Sequence, residues 1–354
     1  MTGSPPTDSA STGHAPSTLR SQLAVASLFL ALGFSYGTWT SRLPAIKGNL
    51  GLSTSQVGGV LLSLGLVALG TSPTWLTICG VMFGYGVLAS TLDVAMNAQG
   101  VEVERATGEP VMSRLHAVFS LGTMGGAFFA SGITLLTTSV PLHFSVAALI
   151  VLAAVLLPRS GLIADAAVID GGTRSFALPR GAALWIGAMA LLGMIVEGSM
   201  VDWSTLYLKE RAGATQQIAP LGIASLQGTM LVTRWFGDRA RVRWGAGRLL
   251  FGGALLAGVS LTLAVAIGGV VPALIGFALF GVGVATVSPC VYAAGAREGG
   301  VALAAVMTLG SLGFLIGPPL ISTVSQATNL SWGMGVIAVA ALALAVLSRR
   351  VRWD

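Results

Sequence analysis

The chain has 354 residues, 54% hydrophobic and only 9% charged, with a mean hydropathy of +0.84 and a formal net charge of +6. Soluble domains carry about 25% charged residues, so an ordinary soluble fold is excluded. The 48 glycines lie without period inside apolar runs, which is the usage of membrane helices and not of a fibrous chain. Cys79 and Cys290 sit in apolar segments and the histidines, His14, His116 and His143, are scattered, so neither a disulfide framework nor a metal cluster is expected. The basic excess is accounted for by membrane topology, and no nucleic-acid partner is expected.

About 20 apolar residues are needed to cross a bilayer core of about 30 Å. Residues 1–20, rich in Ser, Thr, Pro and Gly, read as a disordered tail with no cleaved signal. Eleven candidate spans follow, at 22–41, 55–71, 75–96, 115–136, 140–157, 182–203, 217–234, 249–268, 270–292, 301–323 and 330–348. Lys and Arg concentrate in segments 98–116, 158–180, 234–248 and 294–300 and in the tail 349–354, while the opposing loops after residue 115 hold only Lys209 and Arg211. Basic loops are retained inside the cell, so the linker 158–180 and the C-terminus are expected to be cytoplasmic. The expected organisation is an incomplete helical bundle over 21–157, the cytoplasmic linker 158–180, a six-helix bundle over 181–348 and the basic tail.

The two parts carry matching stretches in the same order. Trp39-Thr40-Ser41 pairs with Trp203-Ser204-Thr205, Phe83-Gly84-Tyr85-Gly86-Val87 with Phe280-Gly281-Val282-Gly283-Val284, and Val118, Leu121, Gly122 and Gly125 with Val306, Leu309, Gly310 and Gly313. This supports two parallel repeats. Between the first and second matches the first half is 33 residues shorter, about one helix and a loop. A third helix of that half is the element expected to be missing.

Two such repeats joined by a cytoplasmic linker resemble the major facilitator superfamily (MFS) of secondary transporters, which implies an all-α membrane fold of two parallel helical-bundle repeats with about eleven helices where twelve are usual. Thr38-Trp39-x-x-Arg42-Leu43-Pro44, Asp93-Val94-Ala95-Met96-Asn97-Ala98-Gln99-Gly100, Ser113-x-Leu115-His116 through Gly122, Glu197-Gly198 with Asp202-Trp203, and Gly313 through Pro319 resemble its YbjJ-like bacterial inner-membrane group. The resemblance implies alternating access of a small solute, in the inner membrane, by a monomer without cofactors. A truncated or degenerate paralogue without transport is the competing reading. The family's Gly-x-x-x-Asp-Arg/Lys-x-Gly-Arg signature has a degenerate likeness in Gly237-Asp238-Arg239 with Gly245 and Arg248, and none in the first half. With Arg234, these residues are expected to form a cytoplasmic gating cluster.

No phosphate-cradling or nucleophile motif is present, so the expected energy source is an ion or solute gradient. Ionisable groups inside spans cost at least about 2.5–3.5 kcal/mol at the helix centre and so mark function by default. Asp93 and Asn97 are four residues apart and share a helix face; bonding to a neighbouring helix is the alternative to lining an aqueous cavity. Glu197 lies deepest, and the proton-coupling role is assigned to it with Asp93 second. Asp202, beside Trp203, lies nearer a span end, where an interfacial anchor is the competing reading. Arg42, after Trp39, attracts an anion or snorkels to the interface. His116 is expected to be structural, and the helices holding Trp39, Asp93, Glu197 and Phe280 are expected to line a midplane site. Trp75, Trp185, Trp244, Trp332 and Trp353 read as an interfacial belt, and the Gly80/Gly84, Gly122/Gly125/Gly126 and Gly313/Gly317 sets as close helix contacts. Pro318-Pro319 is expected to kink its helix.

Strict alternation of eleven spans puts the N-terminus outside, with the first two spans inverted. The family arrangement keeps the first span's direction and requires a distorted or re-entrant second segment. Burial of the first span's repeat contacts favours the latter.

Overall fold

A computed structural model describes residues 18–41, 74–108, 111–156, 181–351 and 353. These residues form eleven helices: α1 (Thr18–Ser41), α2 (Trp75–Thr107), α3 (Met112–Leu136), α4 (Val140–Leu156), α5 (Ala182–Glu210), α6 (Leu221–Trp244), α7 (Ala246–Ile267), α8 (Val270–Val284), α9 (Val287–Arg297), α10 (Gly300–Ala327) and α11 (Leu330–Ser348). Seven stretches among them are long and apolar enough to cross a membrane, with α8 and α9 counted together as Val270–Gly295, and Val140–Ala154 forms a shorter apolar helix. The expected span 55–71 and the linker 158–180 lie outside the described residues.

Two helix ends follow glycine, not charge. Segments 98–116 and 234–248 were expected as basic loops, but α2 runs on to Thr107 and α6 to Trp244. Glu and Arg are good helix formers, so these charged stretches continue the helix until a glycine takes positive φ, Gly108 at 70° and Gly245 at 81°. The tail is also shorter than expected, because α1 already begins at Thr18, just after Pro16. The span expected at 270–292 is broken at 285–286, and α10 passes through Pro318 and Pro319 as one assigned helix.

Each half is organised around one close parallel pair. In the first half, a Cβ on Gly33 or Gly37 would strike the carbonyls of Phe119 or Thr123, and one on Gly122 or Gly126 would strike those of Leu30 or Phe34. Ascending positions on α1 therefore meet ascending positions on α3. In the second half, Gly313 meets the Leu191 carbonyl, and Gly317 meets the Ser199 hydroxyl and Ile195. The pair α5/α10 is thus parallel as well, and backbone contact through glycine holds both pairs as in other membrane bundles. Strict alternation would make α1 and α3 antiparallel, so it does not hold between them. α2, about 50 Å long at 1.5 Å per residue, finishes beside the start of α3.

The larger core belongs to the second half, where Trp203, Tyr207, Phe277, Phe280 and Met334 are buried together. Around α1, Val25, Phe29, Met96, Val103 and Leu115 form a smaller one.

Candidate functional site

α3 presents Ser120, Met124, Ala127 and Ser131 at helical spacing toward α6, and the two helices meet along an antiparallel seam between the halves. Ser120 faces Arg234, Met124 lies 3.0 Å from where a Cβ on Gly228 would stand, Ala127 packs with Ile223 and Ala224, and the Ser131 hydroxyl donates to the Gln217 carbonyl at 2.5 Å. Most of these contacts pair a small residue, Ser120, Ala127, Ser131, Ala224 or Gly228, with its neighbour across the seam, so the helices approach closely.

At one point on this seam Arg234 joins three helices. Its Nη2 donates to Glu197 Oε1 on α5 at 2.7 Å, its Nη1 to the Ser120 hydroxyl on α3 at 2.9 Å, and its Nε to the Ala285 carbonyl at 3.4 Å, in the break between α8 and α9. The second carboxylate oxygen of Glu197 accepts from Ser288 at 3.2 Å. The side chains of Arg234 and Glu197 are 9% and 15% exposed. A buried pair of this kind persists because its remaining donors and acceptors are met, and removing one partner leaves an uncompensated charge. His116, one turn before Ser120, lies near enough to feel both charges and meets Phe29 edge-on at 5.2 Å between ring centroids. Gly237 and Arg234 border a cavity of about 10 Å³ beside Thr286, about one water in size. Farther along α5, the Tyr36 hydroxyl of α1 donates to Asp202 Oδ1 at 3.0 Å, a second polar link between the halves.

No family model matches the chain. Over nearly its whole length it is similar to an uncharacterized MFS-type transporter of Yersinia pestis, 28% identical over 93% of this chain and 95% of the relative. An uncharacterized transporter of Sinorhizobium fredii is also 28% identical, over 92% and 96%, and the membrane protein MosC of Rhizobium meliloti is 25% identical, over 94% and 89%. The fold superposes on a bacterial homologue of the human lysosomal transporter Spinster, in its inward-facing and occupied conformation, with a TM-score of 0.66 at 14% identity, covering 94% of this chain and 98% of that one. Over nearly its whole length the chain is thus similar to MFS-type transporters, and it shares the fold of a solved transporter.

The fold keeps some expected site residues together and separates others. Glu197 is not a lone carboxyl, since Arg234 neutralises it. Arg234 itself is not in a surface loop with Arg239; it turns inward while Arg239, five residues on, is exposed. Asp202 is 4% exposed and bonded to Tyr36, so a solvated interfacial anchor does not describe it, and Trp203 beside it is fully buried with no partner for its indole N–H among the described residues. Phe280 is buried in the second-half core. Arg42 lies outside the described residues, as do the side chains of Trp39, Asp93, Asn97 and Asp238. Tyr36 and Ser288 are not singled out by the sequence, and Ser120 enters it only as part of the motif from Ser113 to Gly122, without a role of its own. Ser120 with Met124, Ala127 and Ser131 follows the i, i+4, i+7, i+11 pattern of a helix face, which is the signal that finds the seam.

Proposed function

We propose that this MFS transporter is a secondary carrier of a small solute, with the seam α3/α6 and the contact α1/α5 as the surfaces that part and close during alternating access. The observation that carries this reading is the Arg234 junction, in which one guanidinium ties a carboxylate of the second half to a hydroxyl of the first. We assign Glu197 the coupling role. A proton on Glu197 cancels the charge that holds Arg234, the guanidinium loses its counter-ion, and the bond to Ser120 is no longer fixed in one geometry. Protonation at that site therefore favours a different arrangement of the halves, and the proton gradient biases which arrangement faces each side. Asp93 and Asn97 are retained as pathway candidates, with Trp39, Arg42 and Trp203, and Asp238 and Arg239 as a charge cluster at the end of α6. The density of arginine there and in the tail supports a cytoplasmic C-terminus in a bacterial inner membrane.

Transport by purified protein in liposomes tests the reading. Glu197→Gln is expected to abolish solute accumulation driven by a pH gradient while leaving counterflow exchange intact. Accumulation that survives this change removes the coupling role. Absence of uptake and exchange from the unaltered protein, across a solute panel first screened by thermal shift, favours the degenerate-paralogue reading.

A further inference from the structure

Where α7 begins and α11 ends, a cleft of about 610 Å³ opens, lined among others by Trp244, Arg248, Phe251, Arg349 and Trp353. We propose that this cleft binds the anionic headgroup of a membrane phospholipid through its phosphodiester. The proposal rests on the chain crossing the membrane and is independent of the coupling role given to Glu197.

Its position comes first. α7 and α11 are both membrane-length apolar helices, so the cleft at Ala246 and Ser348 stands at the depth of lipid phosphates. Trp244, 55% exposed at the rim, is the residue type that settles at that depth.

Among the described residues the polar chemistry is one-sided. Arg248 and Arg349 both face the cleft, and no carboxylate contacts either among the described residues. Arg349 is held over the Phe251 ring, its guanidinium carbon 4.6 Å from the centroid, which orients the group without neutralising it. The first amides of α7 add partial positive charge, since Gly245 has no side chain to cap them. The wall opposite is fixed: the Trp353 indole N–H donates to the Ser348 carbonyl at 2.7 Å, the Trp353 carbonyl accepts from Arg297 at 3.0 Å, and the ring lies against Gly247, where a Cβ would collide with it. Trp353 is thereby held over the start of α7 as part of the site.

The apolar surroundings select a lipid over a free anion. One turn beyond Phe251, Leu255 is 40% exposed, and Val259 follows at 43%; on α11, Val346 is 63% exposed. These residues continue from the cleft along the membrane-facing flanks of the two helices, where acyl chains of a bound lipid would lie. A basic recess between helices at headgroup level, with an apolar strip below it, is suited to an anionic phospholipid.

Thermal unfolding of the full-length protein in neutral detergent tests this with three additions: phosphatidylglycerol, phosphatidylethanolamine and inorganic phosphate. Phosphatidylglycerol is expected to raise Tm by about 2 °C or more, with little change from the other two. Arg248→Gln combined with Arg349→Gln should remove the shift, and Arg114→Gln, at an exposed arginine of α3, should keep it. If the double variant does not fold, quenching of tryptophan fluorescence by brominated phosphatidylglycerol is read in the unaltered protein and in Trp244→Phe, and is expected to be weaker in the latter. A shift of equal size with phosphatidylethanolamine, an equal shift with inorganic phosphate, no shift at all, a shift retained in the folded double variant, or unchanged quenching in Trp244→Phe would each overturn the proposal.

Discussion

The two halves use one packing device in unequal settings. α1/α3 and α5/α10 are both parallel pairs in contact through glycine, with neighbours four residues apart on each helix. Around α5/α10 the described helices α6, α8, α9 and α11 pack and build the larger core, whereas α1/α3 is flanked by α2, α4 and the smaller core. The repeat's pairing therefore does not depend on how much apolar surface surrounds it. Close approach of two backbones needs only that side chains be absent where they meet. The charged pair follows the same asymmetry: Glu197 and Arg234 both belong to the second half, and the first half contributes a neutral hydroxyl.

That asymmetry predicts the ranking of substitutions in thermal unfolding of purified protein. The largest effect is expected at Arg234→Met, with a loss of about 3–5 kcal/mol because Glu197 is left buried without its cation. Adding Glu197→Met should restore much of that loss; a double variant as unstable as the single one would show that the charges do not compensate each other. Next come Gly122→Val and Gly313→Val, each expected to cost about 1–3 kcal/mol as the added carbons push against the Leu30 and Leu191 backbones. Comparable losses support one packing rule in both halves. A loss at Gly313 alone would mean that α1 and α3 are not in backbone contact. At the links between the halves, Tyr36→Phe should cost about 1–3 kcal/mol because it leaves the buried Asp202 without this donor, and the smallest effect is expected at Ser120→Ala, about 0.5–1.5 kcal/mol, the usual worth of one hydrogen bond. Their larger consequence should be kinetic, as altered solute exchange rates in liposomes. Ser120→Ala with an unchanged exchange rate would remove the hydroxyl from the gating contact.

Sequence alone was enough for the membrane class, because burying charge in hydrocarbon is so costly that composition reveals the environment. Repetition of Trp39/Trp203 and of the glycine sets disclosed the duplication, since a helix pair in backbone contact requires small residues at fixed spacing. Glu197 was legible as an ionisable group deep in an apolar run, and Asp202 likewise, although the solvation given to Asp202 was wrong: exposure depends on the neighbouring helix, here on Tyr36 166 residues away. Arg234 shows the same limit more sharply. Its position in a basic stretch pointed to a solvent-facing loop, because local charge density says nothing about the direction in which a helix turns a side chain. Only the packing of α3, α5 and α6 brought it to Glu197 and Ser120, at sequence separations of 37 and 114. The direction of α1 relative to α3 was likewise decided by tertiary structure. Hydropathy counts crossings but carries no term for which faces meet, whereas the carbonyls of Phe119 and Thr123 fit against Gly33 and Gly37 when the two helices run the same way.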